Sequence, residues 1–282
     1  MPTVQTNDIE TYYERAGDGP PMVLAHGAGF DHRWWEPQVE ALREDYELIR
    51  YDLRGHGRTR SSGDWHQYEM GLYALDLHRL VGRLGLDRPI VVGHSLGGMF
   101  LPTFAARYPE SLRGMVLADA QVTPGEGVRE WLFGNVLHPA IILVNRLFGL
   151  DWAESLQATI GKLLADDGED RPGERDGDPA AYRESVSALH EREEVTRVQR
   201  GLRRFSRPPL ETVTVPTLGV YGSLGRDLMG PTERGLATSV RDIRTHEVGD
   251  AGHMLTWTHA GECNRLLAEF AERVFEPDGT YI

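Results

Sequence analysis

The chain has 282 residues, 40% of them hydrophobic and 26% charged, which is the composition of an ordinary globular protein. Its 43 acidic residues outnumber its 30 basic ones and give a formal net charge of −13. This excess argues against nucleic acids and anionic membrane surfaces as partners, because both bind basic surfaces. Cys263 is the single cysteine, so no disulfide can form within the chain, and no grouping of cysteine and histidine has the spacing of a zinc site.

The sequence also argues against export and membrane insertion. The N-terminal segment is polar and lacks the basic region and apolar run of a secretory signal. No apolar stretch approaches the roughly 18–20 residues that are needed to span a bilayer. We therefore expect a cytoplasmic protein that acts on a small molecule and has no membrane partner.

Short apolar runs alternate with amphipathic segments through the first 120 residues, which indicates a parallel sheet covered by helices on both faces. A hairpin with a turn at Asn7-Asp8 begins the chain. The predicted strands are Thr3 to Thr6, Ile9 to Glu14, Met22 to Ala25, Leu48 to Tyr51, Pro89 to Val92 and Leu112 to Ala118. The predicted helices are Trp34 to Arg43, Tyr68 to Leu84 and Leu96 to Tyr108.

The alternation stops after this point and resumes near residue 210. Residues 122–209 have helical stretches but no convincing strand, and we interpret them as a helical cap inserted into a core made of residues 1–121 and 210–282. The second part of the core contains two predicted strands, Val215 to Tyr221 and Thr245 to Val248, and a closing helix, His259 to Val274. Cys263 falls on the apolar stripe of that helix, so we expect it to be a buried core residue and not a nucleophile.

A Gly-x-Ser-x-Gly pattern follows the strand Pro89 to Val92, in the sequence Gly93-His94-Ser95-Leu96-Gly97-Gly98. The pattern alone is common by chance, but here it lies between a strand and a helix, as a strained turn that presents a nucleophilic serine requires. Glycines before and after the serine remove Cβ atoms that would clash across the turn. These features predict that Ser95 is the nucleophile of an enzyme.

A serine hydroxyl is a weak nucleophile and needs a general base. His253 follows the last predicted strand through Gly249-Asp250-Ala251-Gly252. Its loop would lie at the carboxyl edge of the sheet, where open α/β sheets bind their ligands. We therefore predict that His253 is the base.

The base in turn needs a carboxylate that fixes its tautomer and stabilises its charged form. Asp227 is the preferred candidate because it follows the strand Val215 to Tyr221 and gives the chain order Ser, Asp, His. Asp119, at the end of the strand Leu112 to Ala118, is the alternative.

An oxyanion formed at the serine needs backbone N–H donors. Leu96, directly after the nucleophile, supplies one, and the loop His26-Gly27-Ala28-Gly29 supplies the second through Ala28, with Gly29 as an alternative. His26 is interpreted as a residue that organises this loop, because the mechanism needs one base only.

Taken together, these motifs resemble the α/β-hydrolase superfamily, in its cap-bearing branch of esterases, lactonases, cofactor-free perhydrolases and C–C bond hydrolases. The resemblance also covers Asp52-Leu53-Arg54-Gly55-His56-Gly57, which matches a structural turn of the family. It implies an α/β-hydrolase fold with an eight-stranded, mostly parallel sheet and one antiparallel strand near the N-terminus. It also implies that Arg54 and His56 are turn and surface residues. The chain departs from the family at Asp227, which comes five residues after Gly222 where the family usually has three. Either the loop is two residues longer than usual, or Gly225 serves as the turn glycine.

The leading hypothesis is hydrolysis of a small carboxylic ester or lactone through an acyl-enzyme on Ser95, without metal or cofactor. The alternatives are C–C bond hydrolysis or perhydrolysis with the same triad, and a non-catalytic member of the family that binds a ligand. Four aromatic residues are candidates for the substrate pocket: Trp34, Trp131, Phe133 and Trp152.

Overall fold

A computed structural model describes residues 2–60, 68–122, 143–144, 147, 197–198, 200–202, 208, 210–225 and 235–275. The predicted cap, residues 122–209, therefore lies almost entirely outside the described residues. The same is true of Asp227, Trp131, Phe133 and Trp152.

The described core is built on one sheet of eight strands. The strands are β1 (Thr3–Thr6), β2 (Ile9–Ala16), β3 (Pro21–Ala25), β4 (Glu47–Tyr51), β5 (Ile90–His94), β6 (Gly114–Ala118), β7 (Thr217–Gly222) and β8 (Ile243–Val248). Their order in the sheet is β1-β2-β4-β3-β5-β6-β7-β8. Strand β2 pairs antiparallel with both β1 and β4, and all other pairs are parallel. The prediction of a mostly parallel sheet with one antiparallel strand near the N-terminus is confirmed.

The α-helices that accompany the sheet in the described part of the core include five whose bounds follow. They are α1 (Glu36–Leu42), α2 (Met70–Leu84), α3 (Leu96–Arg107), α4 (Leu255–Thr258) and α5 (Ala260–Phe275). The single helix predicted from Trp34 is in fact a 3₁₀ turn, His32–Trp35, followed by α1. Asp31 caps the turn through the Arg33 N–H, and Pro37, which has no N–H to donate, occupies the first turn of α1. None of the described helices has the length and apolar composition needed to cross a bilayer.

Two hydrophobic clusters pack on opposite faces of the sheet. Because side chains alternate along a strand, Val23 of β3 faces α2 and α3, whereas its neighbour Met22 faces α1 and α5. Cys263 lies in the second cluster with 3% of its surface exposed, and burial raises the pKa of its thiol to about 12. The expectation that Cys263 is a core residue is confirmed.

The interpretation of Arg54 and His56 as surface residues is wrong. Both are buried in the turn after β4. The guanidinium of Arg54 bonds Asp76 of α2 (Nε to Oδ2, 2.8 Å) and reaches Asp8 of the β1–β2 turn (Nη2 to Oδ1, 2.6 Å). Desolvation raises the pKa of Asp76 to about 6 although Arg54 opposes it. Arg54 is therefore needed to hold a carboxylate inside the protein.

Removing Arg54 should destabilise the fold strongly. Arg54→Met would leave Asp76 buried without a cation, and breaking a buried pair in this way typically costs about 3–5 kcal/mol. Urea denaturation followed by circular dichroism measures the loss. The double variant Arg54→Met/Asp76→Leu should recover most of it, because no unpaired charge then remains. The exposed pair of Arg265 and Glu269 provides the control, and Arg265→Gln should cost less than about 1 kcal/mol. If Arg54→Met and Arg265→Gln lowered the free energy of unfolding equally, burial of the Arg54–Asp76 pair would not be what makes it important.

Candidate active site

Ser95 lies in a strained turn between β5 and α3. Its backbone has φ 50° and ψ −118°, a conformation that residues with a Cβ rarely adopt. The Ser95 N–H donates to the carbonyl of Ala118 at 3.0 Å, so the turn is held by the neighbouring strand β6. The predicted strand–turn–helix setting of Ser95 is present in the structure.

The glycines around Ser95 allow the backbone segments of the turn to approach closely. A Cβ on Gly93 would lie 2.4 Å from the carbonyl carbon of Gly97. A Cβ on Gly97 would lie 2.1 Å from the carbonyl oxygen of Ala25, at the end of β3. Because these contacts are to backbone atoms that cannot move aside, only glycine fits at either position.

His253 reaches Ser95 from the loop after β8. Its Nε2 lies 3.1 Å from Ser95 Oγ, which is hydrogen-bonding distance. Residues 249–254 are fixed against the end of β7: the Leu224 N–H donates to the Ala251 carbonyl (3.1 Å), and the Asp250 N–H donates to Ser223 Oγ (2.9 Å). The structure therefore brings the predicted nucleophile and base together.

Among the described residues, the carboxylate bonded to His253 is that of Asp119, the alternative acid of the sequence analysis. Asp119 Oδ2 lies 2.5 Å from His253 Nδ1, and its Oδ1 accepts a longer bond, 3.4 Å, from the Gly222 N–H. Asp119 directly follows β6, so the carboxyl edge of the sheet places it beside Ser95. Asp227 lies outside the described residues, and the contact expected of it is made by Asp119.

Asp119 changes the proton affinity of His253. Neighbouring atoms partly desolvate the ring, although 54% of its side chain is exposed, and this alone would lower its pKa. The hydrogen bond and the charge of Asp119 outweigh the desolvation, so the pKa of His253 is above its ordinary value. Asp119 therefore stabilises a protonated His253, as a base that takes a proton from serine requires.

The loop after β3 lies against the Ser95 turn. A Cβ on Gly27 would be 3.1 Å from Ser95 Cβ, so the loop and the turn are in contact. His26 organises the loop as expected: its Nε2 accepts from the Leu53 N–H at 3.0 Å, which leaves Nδ1–H to donate to the Gly27 carbonyl at 2.8 Å. Within the described residues, neither the Ala28 nor the Leu96 N–H donates to another residue. Their service as an oxyanion hole stays a prediction.

Trp34, one of the four residues expected to line the substrate pocket, is fully buried instead. It stacks on His94 with ring centroids 4.7 Å apart, beneath the Ser95 turn. Trp34 therefore packs under the site and has no surface to offer a substrate. The other three candidates, Trp131, Phe133 and Trp152, lie outside the described residues.

One group of described residues brings three possible metal ligands together: Asp31, His32 and Asp52. The carboxylate oxygens of Asp31 and Asp52 already accept hydrogen bonds from protein donors. Asp31 accepts from the Arg33 side chain, and Asp52 accepts from the His32 N–H and from the Arg58 N–H. We interpret the group as a buried hydrogen-bond network that fixes the start of the 3₁₀ turn.

Sequence reasoning overlooked His94. It is the residue before Ser95, it is fully buried, and its Nε2 lies 2.7 Å from the carbonyl oxygen of His253. The Gly-x-Ser-x-Gly pattern leaves this position open, so the motif gives no signal for it. A polar residue in a predicted buried strand end, next to the nucleophile, is the one signal that the sequence carries.

Comparisons with known proteins agree with the fold. A sequence profile of the alpha/beta hydrolase fold family matches residues 20–260. A protein from Synechocystis sp., provisionally named a non-heme chloroperoxidase, is 27% identical over 274 residues, which cover 94% of this chain and 95% of the relative. An esterase from Exiguobacterium antarcticum has a TM-score of 0.79 at 18% identity, over 96% of this chain and 98% of that one. The enol-lactonase from Burkholderia xenovorans LB400 has a TM-score of 0.69 at 22% identity, over 95% of this chain and 99% of that one. Because the profile spans most of its length, the chain belongs to the α/β-hydrolase fold family.

Proposed function

We propose that this protein is a serine hydrolase that cleaves a small carboxylic ester or lactone through an acyl-enzyme on Ser95. The observation that carries the proposal is the continuous relay from Ser95 Oγ through His253 to Asp119. In this arrangement a neutral His253 donates from Nδ1 to the carboxylate and accepts the serine hydroxyl at Nε2. It is the geometry by which a weak hydroxyl nucleophile is activated.

In the acylation half-reaction, Ser95 Oγ attacks the carbonyl carbon of the ester while His253 Nε2 takes the hydroxyl proton. The N–H groups of Ala28 and Leu96 would hold the negative oxygen of the tetrahedral intermediate. Each such donor is typically worth roughly 3–4 kcal/mol of the barrier. The intermediate then collapses, the C–O bond to the alcohol breaks, and His253 returns its proton to the departing oxygen.

Deacylation repeats the same steps with water. His253 removes a proton from a water molecule as the water oxygen attacks the acyl carbon. Collapse of the second intermediate breaks the bond to Ser95 Oγ, which regains the proton from His253, and the carboxylic acid leaves. Asp119 keeps its charge throughout and stabilises the imidazolium in both halves.

Relatives support an ester or lactone as substrate class. The similar solved structures include one described as an esterase and one described as an enol-lactonase, and both extend over nearly the whole chain. A formal charge of −13 disfavours polyanionic substrates, because a negative surface repels them. We therefore favour a neutral or weakly charged small ester.

A fluorophosphonate probe tests this proposal directly. Such probes form a covalent adduct with an activated serine, so we expect one adduct per chain, located by peptide mass spectrometry on Ser95. Ser111 is a matched internal control, because its Oγ also lies 3.0 Å from a histidine nitrogen, Nδ1 of His78, but without a strained turn. A folded protein that stays unlabelled, or is labelled equally on Ser111, would refute an activated Ser95.

A second candidate, perhydrolysis, is favoured by the relative named as a non-heme chloroperoxidase, which matches this chain over nearly its full length. Here hydrogen peroxide would replace water in deacylation: its oxygen attacks the acyl carbon, the bond to Ser95 Oγ breaks, and a peracid leaves. Peracid formed from an ester and peroxide by the wild-type protein, but not by Ser95→Ala, would support it. Formation of the carboxylic acid alone would exclude it.

A further inference from the structure

A second histidine, His94, lies directly beneath His253 and is not part of the relay. It is the last residue of β5 and is fully buried between Trp34 and the loop that carries His253. Its ring stacks on the Trp34 ring, with the two centroids 4.7 Å apart. The His253 ring is tilted by 41° to it, with the centroids 4.9 Å apart. Within the described residues, the His94 side chain is hydrogen-bonded neither to Ser95 Oγ nor to Asp119.

The hydrogen bond of His94 fixes its tautomer. Nε2 lies 2.7 Å from the carbonyl oxygen of His253, and because a carbonyl only accepts, Nε2 must carry the proton. Burial, together with the neighbouring His253, lowers the pKa of His94 to about 3, so the ring is neutral near neutral pH. Nδ1 is then an unprotonated nitrogen, and in the described part of the chain it has no hydrogen-bond partner. It faces the loop after β3, where a Cβ on Gly27 would lie 2.9 Å away.

The position beside His253 favours a hydrogen-bond donor that carries no charge. When His253 takes the proton from Ser95 it becomes positive, and a second cation under it would oppose that step. Neutral His94 holds the loop without adding a charge. Among the described residues, His94 also makes the one hydrogen bond to the main chain of His253. The bonds from Leu224 and to Ser223 hold Ala251 and Asp250 instead.

We infer that His94 is a positioning residue for the proposed hydrolysis: its Nε2–H holds the carbonyl of His253 and so sets the distance of the His253 ring from Ser95. The inference rests on the proposed function. Ser95 Oγ is 3.1 Å from His253 Nε2, and reacting groups must be held close to such a distance for efficient transfer. A loop that loses this bond would let the ring move away from the serine.

Two amide variants that differ by one methylene test the inference. In His94→Gln the amide nitrogen matches the reach of Nε2 and can still donate to His253, whereas in His94→Asn it ends near Nδ1 and cannot. We expect His94→Asn to lower kcat for a p-nitrophenyl ester by about 10- to 100-fold, because a misplacement near 1 Å has that effect. KM should change by less than about threefold, because substrate binding is not altered. His94→Gln should recover most of the kcat.

Trp34→Phe is the packing control, because it disturbs the ring stacked on His94 but leaves the donor in place. It should lower the melting temperature with little change in kcat. Equal kcat in the Asn and Gln variants, or a kcat loss in Trp34→Phe that matches His94→Asn, would overturn the positioning role. A wild-type protein that neither hydrolyses the ester nor reacts with a fluorophosphonate would instead refute the proposed function, and the role of His94 with it.

Discussion

Replacing Ser95 by alanine is expected to lower kcat for a short p-nitrophenyl ester by about 10⁶-fold, the loss typical when the nucleophile of a Ser–His–Asp site is removed. The variant has no atom that can form the acyl-enzyme, so only slow hydrolysis by oriented water should remain. The backbone change is small, since alanine keeps the Cβ that Ser95 already holds at φ 50°. Initial rates and the released acid measure the effect.

Two controls separate chemistry from folding in this experiment. The melting temperature of Ser95→Ala should stay close to that of the wild type, and Ser111→Ala, which removes the serine paired with His78, should leave kcat unchanged. Ester hydrolysis that survives in Ser95→Ala would mean that another group is the nucleophile, and the acyl-enzyme mechanism would fail.

The fold was predictable from sequence because periodicity reports which side chains face the core. The runs that became β3, β5 and β6 are short and apolar, and each strand begins and ends within two residues of its predicted bounds. The start of the Trp34 helix was misjudged because Asp31 and Pro37 divide the segment into two helical turns. Local capping sets that helix boundary, and the spacing of hydrophobic residues gives no information about capping.

Within the candidate site, the sequence located Ser95 and His253, ranked Asp119 second as the acid and overlooked His94. Ser95 directly follows β5, and His253 follows β8 through a loop that contains two glycines, so their placement at one sheet edge could be inferred. Asp119 and His94 are fixed by distances between segments far apart in the chain. Arg54 was misjudged for the same reason, since its partners Asp8 and Asp76 lie 46 and 22 residues away.

The identity of the acid is the point on which the structure and the preferred sequence interpretation differ, and Asp119→Asn tests it. The backbone of Asp119 has φ 44°, which asparagine tolerates, and the asparagine oxygen can still accept from the Gly222 N–H. Its amide group would donate toward His253 Nδ1, however, and so favour the wrong tautomer. We expect kcat to fall by about 10⁴-fold, as in comparable triads.

Asp227→Asn is the matched variant, with the same change of charge and shape at the other candidate, and its kcat should stay within about threefold of the wild type.

The pH dependence of kcat/KM is an independent test of which carboxylate is the acid. His253 must be neutral to act as a base, so kcat/KM falls as pH drops through its pKa, which Asp119 raises above the ordinary value. Without that carboxylate the pKa decreases, and the acidic limb of Asp119→Asn should move to lower pH, while that of Asp227→Asn should not. If instead Asp227→Asn shows the large loss and the shifted limb, then Asp227 is the acid. That outcome would contradict the assignment of Asp119, because the one proton on His253 Nδ1 cannot be oriented by two carboxylates at once.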